Sequence, residues 1–252
     1  MAYAHQQLSI NRKPRILLSH SQSPSSKTEI LPPPRCSATT SRPLYRTSTT
    51  LNILVEPLLK QNPPRLLSYA SIFQFLIGRN LLKLGQQIHG HMALRGIEPN
   101  AFLGAKMVAM YASSGDLDSA INVFNRVGNP SSLLYNSMIR AYALYRCPEK
   151  TIGTYFRMHS SGLKGDNFTY PFVLKACADF SSSWIGKCVH GQSLRNGLQF
   201  DMYVGTSLID MYVKCGGVED AQKLFDKMSM RDISSWNVLI ARLHEEWRNS
   251  CC

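Results

Sequence analysis

The sequence is poor in the features that mark the commonest functional classes. It has no run near the roughly 18 consecutive apolar residues that a membrane span requires. Its richest stretch, Ile72–Ile77, is interrupted by Gln74, so no spanning helix and no membrane partner are expected. The seven cysteines, at 36, 147, 177, 188, 215, 251 and 252, contain no C-x-x-C pair. Their spacings fit neither a zinc ribbon nor a small disulfide framework. They read as free thiols, several within apolar helical patterns such as Cys177 in VLKAC. No glycine-rich phosphate loop and no nucleophile–base pair can be found. His244-Glu245-Glu246 opens like a helical zinc-protease motif, but Arg248 stands where the second histidine is needed. Cys251-Cys252 lacks the accompanying His-x-Glu and C-x-x-C of a zinc deaminase. The chain is therefore read as a non-enzyme, with no catalytic residue, metal or cofactor.

Acidic residues are scarce at the start. Residues 1–50 hold seven Lys/Arg (Arg12, Lys13, Arg15, Lys27, Arg35, Arg42 and Arg46) against one acid, Glu29. Half of the formal charge of +12 thus lies in that segment, and the body from 51 onward is only mildly basic. Rich in Ser, Thr, Pro and Arg and without a sustained apolar period, the segment cannot offset its ordering entropy by burial. It reads as an organelle transit peptide and linker; Ile16–Leu18 is too short for a secretory apolar region. Ala2, the Ser/Pro-rich run and Arg35-Cys36-Ser37-Ala38 favour a chloroplast address. Arg12, Lys13 and Arg15 beside Ile16-Leu17-Leu18 fit the alternative, a mitochondrial amphipathic helix.

What is present in abundance is internal repetition. Residues 69–142 match residues 170–243 at a constant offset of 101, pairing Gly85/Gly186, His89/His190, Gly104/Gly205, Tyr111/Tyr212, Ala120/Ala221, Phe124/Phe225 and Asn136/Asn237. A repeat of this kind signals a solenoid. Similar endings cut each unit into pieces at 66–100, 101–131, 132–166, 167–201 and 202–232, preceded by a lead-in at 51–65. Within each piece the apolar period is helical: Val204, Leu208, Ile209, Met211 and Tyr212 form one stripe, and Val218, Ala221, Leu224 and Phe225 a second. Gly216-Gly217 between them closes the first helix. Asp116, Asp118, Glu219 and Asp220 stand as acids in a first helical turn, and the hairpin from 132 is expected to have its second helix at Thr151–Met158. No segment alternates with period two. The fold class predicted is all-α, about ten helices in stacked hairpins, each burying its apolar faces against its neighbours. The equivalent His89 and His190 are read as scaffold packing rather than metal ligands.

The strings FTYPFVLKACADFSSSWIGKCVHG (168–191), YVGTSLIDMYVKCGGVEDAQKLFDKM (203–228) and LLYNSMIRAY (133–142, restarted as SSWNVLIA at 234–241) closely resemble the plant pentatricopeptide-repeat family. The alternation of long, short and standard pieces resembles its mixed-repeat subclass. The W-x₂-L-G-x₂-Y pattern of tetratricopeptide repeats is absent. The resemblance implies a right-handed α-solenoid that binds single-stranded RNA, one hairpin to a base. It also implies a role in organelle RNA processing or modification, such as recognition of cytidine-to-uridine editing sites, with editing or processing factors supplied in trans and no DNA partner. It assigns the reading to the fifth and last residues of each repeat. Carried over, these are Asn136 with Asp166, associated with uridine; Thr206 with Asp232, associated with guanosine; and Pro171 with Asp201, of uncertain preference. Ala70/Asn100 and Ala105/Ser131 lack a polar fifth residue, and Asn237 opens a sixth pair. Read from the residues alone, Asn136 could equally bond locally, and Asp166 and Asp232 could be acids at the start of the next helix. The pattern breaks at Arg242, so residues 233–252 read as a truncated sixth repeat. A protein-interaction scaffold and a non-functional fragment of a longer repeat protein are the competing readings.

Overall fold

The computed structural model describes residues 66–228, 231, 233–238 and 240–241. Residues 1–50, expected from the sequence to be a transit peptide, the lead-in at 51–65, Asp232 and residues 242–252 lie outside the described residues. Among those described, ten complete helices follow one another: α1 (Leu66–Leu76), α2 (Leu82–Leu94), α3 (Ala101–Ser113), α4 (Leu117–Arg126), α5 (Ser132–Leu144), α6 (Pro148–Ser160), α7 (Tyr170–Asp179), α8 (Ser183–Arg195), α9 (Met202–Lys214) and α10 (Val218–Lys227). A further helical stretch begins at 233–238, and no described residue is in a strand.

The helices are short and stop sharply because their ends are coded. After α9, Gly216 takes φ +79°, its N–H bonds the Val213 carbonyl (3.1 Å), and the Gly217 N–H reaches back to Tyr212 (2.8 Å). That is the Schellman closure. Gly115 does the same after α3. After α5 the left-handed residue is Arg146 (φ +52°), and α6 begins at once on Pro148, whose fixed φ suits a first helical position. The second helix of that hairpin is therefore longer than its apolar stripe at Thr151–Met158 suggests. Asp116 likewise sits one place earlier than expected: it caps α4 from outside, accepting from the Ser119 N–H at 2.9 Å.

Hairpins form from consecutive helices, and they stack in two layers. The first helices α1, α3, α5, α7 and α9 pack successively on one another; α2, α4, α6 and α8 each pack against the first helices on either side, and α10 packs against α9. The inner layer accordingly carries the densest burial: Met107, Met110, Leu134, Met138, Val173, Leu174, Val204 and Met211 are fully buried. Each such side chain contributes about 1.5–3 kcal/mol by leaving water. The outer helices are more lopsided, α4 burying only Ala120, Val123 and Phe124 and α10 only Ala221 and Phe225. Polar bonds stitch hairpin to hairpin. His89 Nδ1 meets the Tyr111 hydroxyl at 2.8 Å, and His190 Nδ1 meets the Tyr212 hydroxyl at 2.9 Å, so both equivalent histidines are used in packing. The Tyr145 hydroxyl donates to the Ala112 carbonyl at 3.2 Å.

Candidate nucleic-acid interface

The start of each first helix is where one hairpin meets the next, and side chains there are left partly open. Leu67, Phe102, Leu133, Phe168 and Tyr203, each the second residue of its hairpin, are 44–70% exposed. They form a repeating series of apolar side chains, one per hairpin, on the helix layer that is otherwise the better buried. Single-stranded nucleic acids are gripped by such stacking surfaces. None of these five residues is among the site residues assigned from the sequence.

Three residues after Leu133, on the next turn of α5, lies Asn136. Its amide Nδ2 donates to both oxygens of the Asp166 carboxylate, at 3.0 Å each, across 30 residues of chain. Because a carboxylate only accepts, the nitrogen end of the amide must face it. Asp166 also receives the N–H groups of Phe168 and Thr169, both at 2.9 Å. It therefore caps the turn that leads into α7 while holding Asn136. A third side chain joins them. The Thr169 hydroxyl, wholly buried, lies 2.6 Å from Asn136 Oδ1 and 2.9 Å from Asp166 Oδ1, and accepts from the Asp166 N–H at 3.0 Å. Thr169 is absent from the sequence-derived site. Its signal was the reciprocal spacing Asp166-x-x-Thr169, a variant of the capping box.

The other assigned positions differ. Pro171 is the second residue of α7 and has no N–H to offer. Asp201 caps α9, accepting from the Val204 N–H at 2.9 Å. Asn100 does the same for α3 through the Leu103 N–H at 2.9 Å. Thr206 is half-buried on the second turn of α9, while Asp232 lies outside the described residues. Asn237 is exposed on the stretch 233–238. Ala70 and Ala105 are buried and present no polar atom of a side chain.

Charge enters one turn further along the same stripe. Arg140 follows Asn136 by four residues and Lys175 follows Pro171 by four, so each shares a helix face with a fifth residue; both are exposed. Arg140 also lies 5.8 Å from the Phe172 ring centroid. In the last complete hairpin the corresponding residue is Asp210, bonded to Lys214 at 2.7 Å. Among the described residues no cluster of three His, Cys, Asp or Glu could hold a metal ion. Each of the five hairpins places an exposed apolar side chain at its second residue; the 132–166 hairpin adds a polar fifth residue, Asn136, and a cation, Arg140, on the same face. Such an array defines a modular repeat surface.

The comparisons agree with that class. The family model described as PPR repeat matches residues 133–163 and 206–233. The chain is 36% identical over 176 residues to pentatricopeptide repeat-containing protein At3g16610 of Arabidopsis thaliana, covering 69% of this chain and 27% of that protein. Two other Arabidopsis relatives, each 33% identical, are At4g25270, named chloroplastic, and At3g09040, named mitochondrial; the matches cover 68% and 63% of this chain and 33% and 16% of theirs. In fold it superposes on the crystal structure of the pentatricopeptide repeat protein PPR10 in complex with an 18-nt psaJ RNA element. That match has a TM-score of 0.66 at 20% identity, covering 79% of this chain and 30% of PPR10. The chain belongs to the pentatricopeptide-repeat family. It spans about a quarter to a third of the length of the first curated relatives it matches.

Proposed function

We propose that this chain binds single-stranded organelle RNA selectively, with one hairpin facing one base. The observation that carries the reading is the Asn136 amide, held by Asp166 at 3.0 Å, with the exposed Leu133 three residues before Asn136 and the exposed Phe168 two residues after Asp166. Such an amide keeps a donor and an acceptor for a base edge, and the two apolar side chains can sandwich the ring, worth roughly 1–3 kcal/mol per base. Arg140 and Lys175 supply charge for the neighbouring phosphates. The relative PPR10 is known in complex with RNA. In this reading Asn136/Asp166 takes uridine, Thr206/Asp232 takes guanosine, and the hairpin between them, with Pro171 and Asp201, is weakly selective. With RNA running 5′ to 3′ along the hairpins, the core target is U-x-G. The role served is RNA processing or modification such as editing-site recognition, within the mixed-repeat subclass, with the chemistry supplied by other factors in trans. The address is the chloroplast, with the mitochondrion as the alternative; a fluorescent fusion of residues 1–50 that stays cytosolic refutes both.

A gel shift with a U/G-containing RNA tests binding. Affinity must fall steeply with salt if phosphates are engaged, and Asn136→Ser must move the preference from uridine toward a purine. A protein-interaction scaffold is the second reading, favoured by Phe180 and Trp184, both exposed around the α7–α8 turn. It is supported instead if no RNA is retained at low salt.

A further inference from the structure

We infer that Thr169 is a positioning residue that sharpens pyrimidine choice in the hairpin before it, by gripping the oxygen end of the Asn136 amide whose nitrogen end Asp166 already orients. The inference rests on the proposal that Asn136 reads a base.

The argument begins with what capping does not need. Asp201 and Asn100 cap α9 and α3 through the N–H three residues on, at 2.9 Å in each case, and the residues supplying that N–H are Val204 and Leu103. Neither has a side-chain donor. Thr169 occupies the same register after Asp166, supplies the same N–H at 2.9 Å, and buries a hydroxyl in addition. A buried hydroxyl without a partner is costly. Its extra contact, 2.6 Å to Asn136 Oδ1, is one that capping leaves unexplained.

Counting protons shows what that contact does. Asp166 Oδ1 already receives the N–H groups of Phe168 and Thr169 and the Asn136 amide. The single hydroxyl proton of Thr169 is therefore best used on the shorter contact, to Asn136 Oδ1. The amide is then gripped at both ends, nitrogen by Asp166 and oxygen by Thr169, and each end keeps one position for a base. This matters because uracil presents O4 as acceptor beside the N3–H donor, whereas cytosine presents the N4 amino donor beside the N3 acceptor. Each pattern is the reverse of the other, so an amide gripped at both ends favours one of them, and the looser hold that Asp166 alone provides discriminates less.

The pattern along the chain follows the same division. The residues three after the closing positions are Leu103, Leu134, Thr169, Val204 and Ser235. Hydroxyls occur after Asp166 and after position 232, the two hairpins whose fifth residues, Asn136 and Thr206, are polar. Ser235, like Thr169, is fully buried.

The test uses the full 252-residue chain and two single-stranded RNAs that differ only in U-A-G against C-A-G within adenosine flanks, read by fluorescence anisotropy. The unmodified chain is expected to prefer the first. Thr169→Val, which keeps the shape and removes the donor, should shrink that preference by roughly fivefold, the worth of one hydrogen bond. Thr169→Ser should restore it. Circular dichroism melts accompany each variant. If Thr169→Val is unfolded at the assay temperature, Thr169→Ala against Thr169→Ser carries the same comparison. Equal weakening toward both RNAs, or an unchanged preference, overturns the role given to Thr169 and leaves the uridine reading standing. An unmodified chain that binds both RNAs equally overturns the uridine reading and this inference with it.

Discussion

Two glycines on one helix should respond to alanine with opposite sign. Gly186 and Gly191 both lie inside α8, and in an open helix interior Gly→Ala stabilises by about 1 kcal/mol, because alanine loses less backbone freedom on folding. Around Gly191 nothing lies within 4 Å of where a Cβ would stand, so Gly191→Ala should realise most of that gain. At Gly186 a Cβ would overlap Met211 Sδ and come within 2.8 Å of its Cε and 3.3 Å of its Cγ. Met211 belongs to α9 of the next hairpin and is fully buried. Its thioether must change rotamer inside a closed core, an overpacking cost of about 1–3 kcal/mol. Subtracting the helix gain leaves Gly186→Ala destabilising by about 1 kcal/mol. Met211→Ala alone opens a cavity and should cost about 2–5 kcal/mol. The new methyl partly fills that cavity, so the double variant should lose about 1–2 kcal/mol less than the two single losses added together. Urea unfolding followed by circular dichroism measures all four proteins. If Gly186→Ala is as stabilising as Gly191→Ala, or if the two losses simply add, the close approach of α8 to α9 is not what requires glycine at 186.

Burial holds the pKa of His89 and His190 below 6.5, assisted by Arg126 and Lys227 and opposed by Glu98 and Asp220 respectively. The unfolded chain therefore takes up protons first, and stability should be full above about pH 6.5 and fall toward the lower folded-state pKa values. Melting at about pH 7.5 and about pH 5.5 checks this; replacing both histidines by glutamine should flatten the difference. Asp166→Ala removes a cap and strands the Asn136 amide, so it should cost about 1–3 kcal/mol of stability in urea melts and reduce RNA affinity as well. Phe168→Ala should weaken RNA binding by about 1–3 kcal/mol with little change in melting, since its side chain is largely exposed. Arg140→Ala with Lys175→Ala should lower the slope of log affinity against log salt by about 1.4, near 0.7 for each phosphate of a single strand that is no longer neutralised, as measured by anisotropy titrations.

The helical architecture was legible because both signals that declare it are local. Apolar stripes with period near 3.6 mark the buried faces, and Gly115 and Gly216 mark where first helices end. Where the marker changes, legibility drops. Arg146 takes the left-handed place that Gly115 and Gly216 hold after α3 and α9, so the early start of α6 on Pro148 was hidden behind an unremarkable turn. Asp116 was misplaced by one residue because an acid before a helix and an acid in its first turn look alike in a string. The 101-residue offset made His89 and His190 equivalent, yet only coordinates show that each reaches a tyrosine of the following hairpin. Gly186 and Gly191 are equally conspicuous as letters; the Met211 side chain separates them. Thr169 was missed for a related reason. Its role depends on Asn136, 33 residues away, and that contact exists only once hairpins stack.

In the proposed reading, recognition and folding draw on the same few residue types at the junction between hairpins. Asn100, Ser131 and Asp201 each precede a first helix directly, and Asp166 precedes the turn into one. A helix start leaves N–H groups without partners, and short polar side chains satisfy them best. At Asn100, Asp166 and Asp201 the closing residue thus meets the needs of the next helix, whereas Ser131 makes no side-chain cap bond. Those residues also carry the small acceptors that can orient a neighbouring amide. Asp166 does both at once, serving two backbone N–H groups and Asn136. A change there cannot alter base choice without also touching the stacking of hairpins. The fifth residue faces no such double demand, since Ala70, Ala105, Asn136, Pro171 and Thr206 all occupy it. Variation in selectivity should therefore be freer at the fifth position than at the closing one. A library randomised at 136 should yield more folded proteins with altered base preference than one randomised at 166, counted by soluble expression and RNA selection. Equal yields from the two libraries would mean that the cap at Asp166 contributes little to the stack.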